Sequence, residues 1–416
     1  MQTLLFIKSK KEWFLFISIL FSILFLNLVW QYFQYQTFKK DEIYTTDTRI
    51  INIYHKDSFD VLKLSNNNIL FFTSIPKNDF NKNDYISITI LTKNIDFISY
   101  LKGFYAKSFN FYKIDSTSRL FLKSNEYINS QHNNDDISSI FNAIFLAIPL
   151  DKDLQNIIST FGIAHLIAIS GFHLGVLSFI IYFILNIFYT PIHKKYLPYR
   201  NKKYDLLISI SFILFGYLLF LSNQPSLLRA FIMYIFAIIT LRSNIKILSF
   251  STLLICILII LSLFPKLIFS LSLWFSISGV FYIFLFLKYF KHLHKFILFI
   301  FLNIWLYLAI NPISHFFFDI TSILQLISPL LTIAFSLFYP IELFLHIFYI
   351  GDLLDNYILM LLNIKTTTLH ISTNIYFLIL YIAFSFYSIK SKIAFILLNV
   401  MLILFNIYLY KSFISV

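Results

Sequence analysis

From residue 157 onward the sequence is one apolar run after another, near 161–188, 206–221, 226–241, 247–264, 267–287 and 296–311. A stretch at 321–350 carrying Pro329 and Pro340 follows, and then runs near 374–389 and 393–410. About 20 apolar residues cross a bilayer core as a helix, because helices and closed barrels alone satisfy their own backbone polar groups there. With an earlier run at 13–33, this pattern predicts a polytopic α-helical membrane protein. Composition agrees, since 58% of residues are hydrophobic and 13% charged, against about 25% charged in a soluble domain. A chain this poor in charge cannot cover a water-facing surface.

Residues 1–35 read as an N-terminal cytoplasmic tail and first membrane anchor, with Lys8, Lys10 and Lys11 ahead of a bulky run that has no small-residue cleavage site. Residues 36–128 change character. INIYHKDSFDVLKL, NNNILFFTSI and DYISITILT alternate with period two, and SNNN, IPKNDFNKND and Gly103 mark turns. This predicts a small extracytoplasmic β-barrel domain. Its aromatics Phe71, Phe72, Tyr85, Phe104, Tyr105, Phe109, Phe111 and Tyr112 serve either its core or base stacking. Residues 129–160 read as an amphipathic connector, whose segment ISSIFNAIFLAIPLDKD is too short to span and suits an interfacial helix. Residues 161–416 form the multi-span domain.

The net charge is +13. Excess Lys and Arg in cytoplasmic loops accounts for much of it, and attraction of a polyanion such as nucleic acid is the other reading. Placing the N-terminal KSKK inside puts HKKYLPYRNKK, LRSNIK and KYFKHLHK inside and the β domain outside. The KSK at 390–392 joins them only if 321–350 is not a single simple crossing, which predicts broken half-helices there. The one cysteine, Cys256, excludes a disulfide framework within the chain and a cysteine metal cluster. No metal or other cofactor is expected.

The segment HLIAISGFHLGVL, 165–177, puts hydrogen-bonding groups inside an apolar run, where lipid penalises them. On one helix over 161–188, Ala164, Ala168, Gly171 and Gly175 share about 60° of arc, a small-residue stripe for close helix packing. His165, Ser170 and His173 occupy a separate arc, facing protein or a wet cavity. Eight residues separate the two rings, about 12 Å along the axis, too far for joint metal ligation. A second element, SNQPSLLRAFIMYIF, puts Arg229 one turn inside a helix opened by Pro225. It either snorkels to the interface or points inward as a fixed cation. A third, FSLSLWFSISG, places Ser272, Ser276 and Gly279 on a further small stripe, widened by Ser270 and Ser278.

Together these three elements resemble the ComEC competence family of inner-membrane DNA-uptake channels. The family pattern HLLAISGLHxG reads HLIAISGFHLG here, matching at His165, Leu166, Ala168, Ile169, Ser170, Gly171, His173 and Gly175. PSxxRAxxM reads PSLLRAFIM, with Pro225, Ser226, Arg229, Ala230 and Met233. GFQLSF survives only as SLWFSI, keeping Ser276, and the later proline helices match loosely at Pro329 and Pro340. The resemblance implies an oligonucleotide-binding (OB-like) barrel for the β domain and passage of single-stranded DNA across the bacterial inner membrane in natural transformation. His165, Ser170, His173, Arg229 and Ser276 would then border the DNA path. The metallo-β-lactamase-like domain of many members is not expected, as the chain has no HxHxDH run; HLH at 292–294 lies in a basic loop. Without a GxxxxGK[ST] loop, a cytoplasmic ATPase or helicase partner is expected, with an extracytoplasmic DNA-receptor protein. Self-association is left open. No enzyme is expected, because no nucleophile–base or metal set stands out. The competing readings are a transporter of a small solute or lipid-linked precursor, and a non-transporting envelope scaffold.

Overall fold

The structure is a computed structural model that describes residues 10–66, 69–77, 80–114, 119–221, 225–242, 249–411 and 413. The tail before residue 10, residues 222–224, the side chains of Pro225 and Ser226, and most of the LRSNIK loop lie outside that description. Two compact units form: Met1–Lys152 with Leu174–Ile247 and Leu254–Leu273, and Asp153–His173 with Leu248–Leu253 and Trp274–Val416.

In the first unit, helix α1 (Lys10–Lys39) runs beyond the apolar stretch. Its final turns turn inward. Tyr35 and Phe38 are buried among sheet residues, and the Tyr35 hydroxyl donates to the Ile95 carbonyl at 2.9 Å. The sheet comprises β1 (Ile43–His55), β2 (Phe59–Ser65), β3 (Leu70–Pro76) and β4 (Tyr85–Leu91), followed by helix α2 (Phe97–Lys102), β5 (Phe104–Tyr105) and β6 (Ser108–Ile114). Strand order is β5-β3-β2-β1-β4-β6. β1 is long enough to pair with β4 through its first half and with β2 through its second, with a bulge between Ile50 and Asn52. The barrel expected from sequence is not found as a closed ladder. β5 pairs with β3 and β6 with β4, so the short link between them joins the two edges of an open, curled sheet. Of the eight aromatics, Phe71 and Phe104 stack in the core, whereas Tyr105, Phe109 and Tyr112 are exposed.

Helices α3 (Arg119–Asn129) and α4 (Asp135–Leu146) follow. Asn134 caps α4, its side chain accepting from the Asp136 and Ile137 amides. The connector was expected to lie in the membrane interface. Instead Ile137, Phe141 and Ile144 are buried in protein, and Tyr217 donates to the Phe145 carbonyl at 2.8 Å. Helix α5 (Lys152–Thr160), the single-turn α6 (Ala164–Ile167), α7 (Gly171–Tyr196), α8 (Lys202–Phe220), α9 (Pro225–Arg242), α10 (Phe250–Leu263), α11 (Leu271–Phe290) and α12 (Lys295–Phe317) come next. The 3₁₀ turn Pro265–Phe269 between α10 and α11 sets Lys266 over the Tyr100 ring, 4.8 Å from its centroid. Burial pushes that ammonium down to about 8 and the Tyr100 phenol up to about 12.

The second unit settles the course of the chain through 321–350. Strand β7 (Ile320–Ser322) leads through a 3₁₀ turn, Ile323–Ile327, into α13 (Ser328–Ile347). A second turn, Gly351–Leu354, and α14 (Asp355–Leu362) lead back to β8 (Thr368–His370), which pairs antiparallel with β7. Both ends of this excursion therefore lie together. Helices α15 (Ile375–Tyr387) and α16 (Lys392–Lys411) complete the chain. Lys288 donates to the Ile389 carbonyl, and the Tyr289 hydroxyl donates to the Ser388 carbonyl at 2.6 Å. The basic loops KYFKHLHK and KSK thus share one end, as the charge pattern required. Broken half-helices do not occur, because α13 continues through Pro340 and the return is made by 351–370.

Among the described residues, seven helices are long and apolar enough to cross a membrane. Three shorter apolar ones are Leu227–Ile239, Phe250–Leu263 and Ile375–Tyr387. Ile320 faces His370 across the two-stranded ladder. Opposed residues of this kind have Cβ atoms about 4.5–5.5 Å apart, and a disulfide bridges Cα atoms about 4.4–6.8 Å apart. Ile320→Cys with His370→Cys, in a Cys256→Ser background, is therefore expected to cross-link on mild oxidation, read as a gel shift after specific cleavage between them. Persistently free thiols would contradict the out-and-back course.

Candidate functional site

The single helix expected over 161–188 is broken. α6 ends at Ile167, Ala168 is extended (φ −67°, ψ 129°), and α7 begins at Gly171. Local hydrogen bonding holds the break. The Phe172 amide donates to Ser170 Oγ at 3.3 Å, and the Ser170 amide donates to His173 Nδ1 at 3.1 Å. This is the reciprocal arrangement of a capping box, with histidine where glutamate or glutamine is usual. Because a backbone N–H can only donate, Nδ1 is the acceptor and the neutral ring carries its proton on Nε2. The turn before α6 is pinned to the start of α13. Ser328 Oγ donates to the Gly162 carbonyl at 3.1 Å, and Gln325 Nε2 to the Ser159 carbonyl at 3.2 Å. Gly162 has φ +68°, and a Cβ there would stand 3.3 Å from the Ser328 Cβ. Glycine is required on both counts.

Contacts with α13 set the level of the break. The His173 ring meets Tyr339 edge to face, centroids 4.5 Å apart, and Phe335 at 5.6 Å. At 1.5 Å per residue those residues lie about 10 and about 16 Å along α13. Irregular backbone beside the middle of a spanning helix must face protein or water, since lipid cannot satisfy it. Both surroundings occur here. Leu166, Ile167, Ile169 and His173 are buried, while Ala164, His165, Ala168, Gly171 and Phe172 are exposed. His173 is 3% exposed and its Nε2 has no hydrogen-bond partner. The Leu166 carbonyl is near the ring but makes no hydrogen bond of normal geometry with Nε2.

The break alters the sequence expectations. His165 and His173 do not share a face, one being exposed and the other buried. Ser170 is half-buried and serves its own helix start. The stripe Ala164–Ala168–Gly171–Gly175 is not continuous, because its first two members lie off α7. A Cβ on Gly175 or on Gly279 would meet nothing within 4 Å, so neither marks a close helix contact within the chain. Ser276 is half-buried on α11. Ser272 accepts a hydrogen bond from Arg229 Nη1 at 2.9 Å. Arg229 is 7% exposed, and no carboxylate among the described residues pairs with it. No group of three His, Cys, Asp or Glu side chains gathers among the described residues.

A family model described as Competence protein matches residues 149–413. The chain belongs to that family. No curated protein and no solved structure matches it. The match takes in the broken helix, Arg229, α13 and every later helix, and leaves the β sheet outside. It agrees with the ComEC likeness of the HLIAISGFHLG and PSLLRAFIM segments. Competence proteins serve DNA uptake in transformation, and this member is a multi-pass membrane protein by its apolar helices.

Sequence inspection missed two features of this competence protein. Tyr339 closes over His173, and Glu342 is a buried acid on the same helix. Glu342 carried a visible signal, being the one acid in 321–350, with a histidine four residues on. The capping role of Ser170 makes a direct prediction. Ser170→Ala removes the acceptor of the Phe172 amide and is expected to cost about 1 kcal/mol. Ser170→Asp keeps an acceptor and most of the stability. Thermal unfolding of the detergent-solubilised variants measures both.

Proposed function

We propose that this competence protein is the membrane conduit through which a single DNA strand enters the cell. The observation that carries the reading is the helix break at 168–170, beside the middle of α13 and open on the side of His165. A polyanion crossing hydrocarbon needs a hydrated route whose groups replace phosphate hydration without gripping the strand. Small and uncharged polar residues beside an interrupted helix suit that need, and interrupted helices elsewhere mark transport sites. His165, Ser170, His173, Arg229 and Ser276 border the route in this reading. His173, sealed by Tyr339 and Phe335, belongs to its closed state.

The protein sits in the bacterial inner membrane with its N-terminus cytoplasmic and its sheet outside. The sheet acts as an OB-like guide for the incoming strand. Exposed Tyr105, Phe109 and Tyr112 beside Lys107 and Lys113 support this role, because aromatics on a basic edge stack bases irrespective of sequence. A receptor hands over DNA outside, and an ATPase or helicase draws the strand in. The chain's own part is passage rather than covalent chemistry.

The test is thiol accessibility during uptake. In a Cys256→Ser background, His165, Ser170, His173 and Arg229 are changed singly to cysteine, and a membrane-impermeant thiol reagent is added with DNA. Labelling at His165→Cys and Ser170→Cys is expected to block transformation, and His173→Cys to react faster while DNA is passing. If all four stay unlabelled and the matching alanine variants transform normally, the conduit reading fails.

A further inference from the structure

Buried Phe335, Tyr339, Glu342 and His346 recur at spacings of four, three and four, so they share one face of α13. Glu342 is 1% exposed, and neither carboxylate oxygen has a hydrogen-bond partner. His346 Nδ1 donates to the Glu342 main-chain carbonyl at 2.8 Å and stands 3.3 Å from Oε2. An ionised carboxylate without hydrogen bonds is hard to retain in so dry a place, whereas a protonated one fits it. Intramembrane acid–histidine pairs are suited to taking up and releasing protons. One turn back along the same face lie the two rings that close on His173.

We propose that Glu342 and His346 form a proton-binding site inside the membrane whose occupancy opens and closes the helix break. With a proton on Glu342 the face stays dry, and Tyr339 and Phe335 remain seated on His173. Loss of that proton, relayed through His346 to water, leaves an anion that the face cannot satisfy. α13 then shifts to admit water, and the two rings leave the imidazole. Pro340, which supplies no amide donor to the helix between Tyr339 and Glu342, makes this the stretch of α13 most ready to bend. The role of the movement as a gate rests on the conduit reading; the movement itself does not.

Other titratable groups stand around this face. Of the elements packed on α13, α12 brings Lys295, Tyr307 and His315, and the turn 351–354 brings Asp352. Asp355 opens the next helix, α7 brings His173, and the turn 323–327 brings none. Glu342→Gln leaves all of them in place, which makes it the deciding variant.

The experiment uses full-length protein in liposomes, in a Cys256→Ser background, with nitroxides on Ala168→Cys and Leu337→Cys, both exposed positions. Their separation is measured by pulsed dipolar spectroscopy between pH 5 and pH 9, without DNA. A short distance at low pH giving way to a longer one at high pH is expected. Glu342→Gln should hold the short distance throughout, and His346→Gln should displace the midpoint. An invariant distance in the parent, or a change that survives Glu342→Gln, overturns the proposal. Failure of thiol blocking during uptake would remove the conduit while leaving this result standing.

Discussion

His173→Ala is expected to raise opening of the 168–170 break by about 30-fold and to lower transformation, with His173→Gln falling between it and the parent. Three effects decide the size. The imidazole accepts the Ser170 amide at 3.1 Å, so its loss removes half of the capping box, about 1 kcal/mol. The ring is 3% exposed between Tyr339 and Phe335, and deleting it leaves a cavity costing about 2–4 kcal/mol. Against these, alanine also removes a buried Nε2–H that has no acceptor, which returns about 1–3 kcal/mol. The net loss is about 2 kcal/mol, and each 1.4 kcal/mol is about tenfold in an equilibrium. Glutamine keeps an acceptor for the Ser170 amide but not the ring packing, hence its intermediate place. Amide hydrogen exchange at Ala168–Ser170 measures the opening directly, and transformation frequency measures the consequence. Exchange in His173→Ala equal to that of the parent would show that the box and the aromatic contacts do not hold the break.

The membrane architecture was legible because hydrocarbon leaves a sequence little freedom. All ten apolar runs, from 13–33 to 393–410, correspond to helices, seven of them long and three short. Even the odd parity of 321–350 was foreshadowed by KSK at 390–392, which had to join the other basic loops. Features set by short-range chemistry were harder to see. Apolar periodicity continues straight through 168–170, and the S-x-x-H pattern that interrupts it does not look like a cap unless histidine is admitted in place of glutamate. Ser170 was correctly read as a hydrogen-bonding group, but its partners are local. The sheet's failure to close and the burial of α4 depend on tertiary contacts that alternation and amphipathicity do not encode. Glu342 was overlooked for a different reason: the prolines of 321–350 drew attention, although a lone acid in an apolar run is the rarer feature.

Arg229→Met is expected to cut transformation by tenfold or more while leaving the protein as stable as the parent, or more so. The guanidinium is 7% exposed on α9 and has Ser272 Oγ as its hydrogen-bond partner at 2.9 Å. A structural role would normally come with a carboxylate, and none of the described residues supplies one at ion-pair distance. Placing arginine within a membrane helix costs about 2.5–3.5 kcal/mol on insertion scales, less near the interface. Methionine, of similar length, removes that cost and fills the same space. If Arg229 served stability, the substitution would lower the unfolding temperature. If it waits for an anion that arrives only during uptake, stability is spared and passage suffers, because a phosphate loses its charge-assisted partner. Arg229→Lys separates charge from shape: an ammonium keeps the attraction but loses the planar fork, so activity should be partly restored. Ser272→Ala, which frees the guanidinium without removing it, should have the smallest effect of the three. Measuring unfolding temperature and transformation on the same preparations gives opposite signs for the two roles, and a joint fall in both would assign Arg229 to the scaffold and take it off the DNA path.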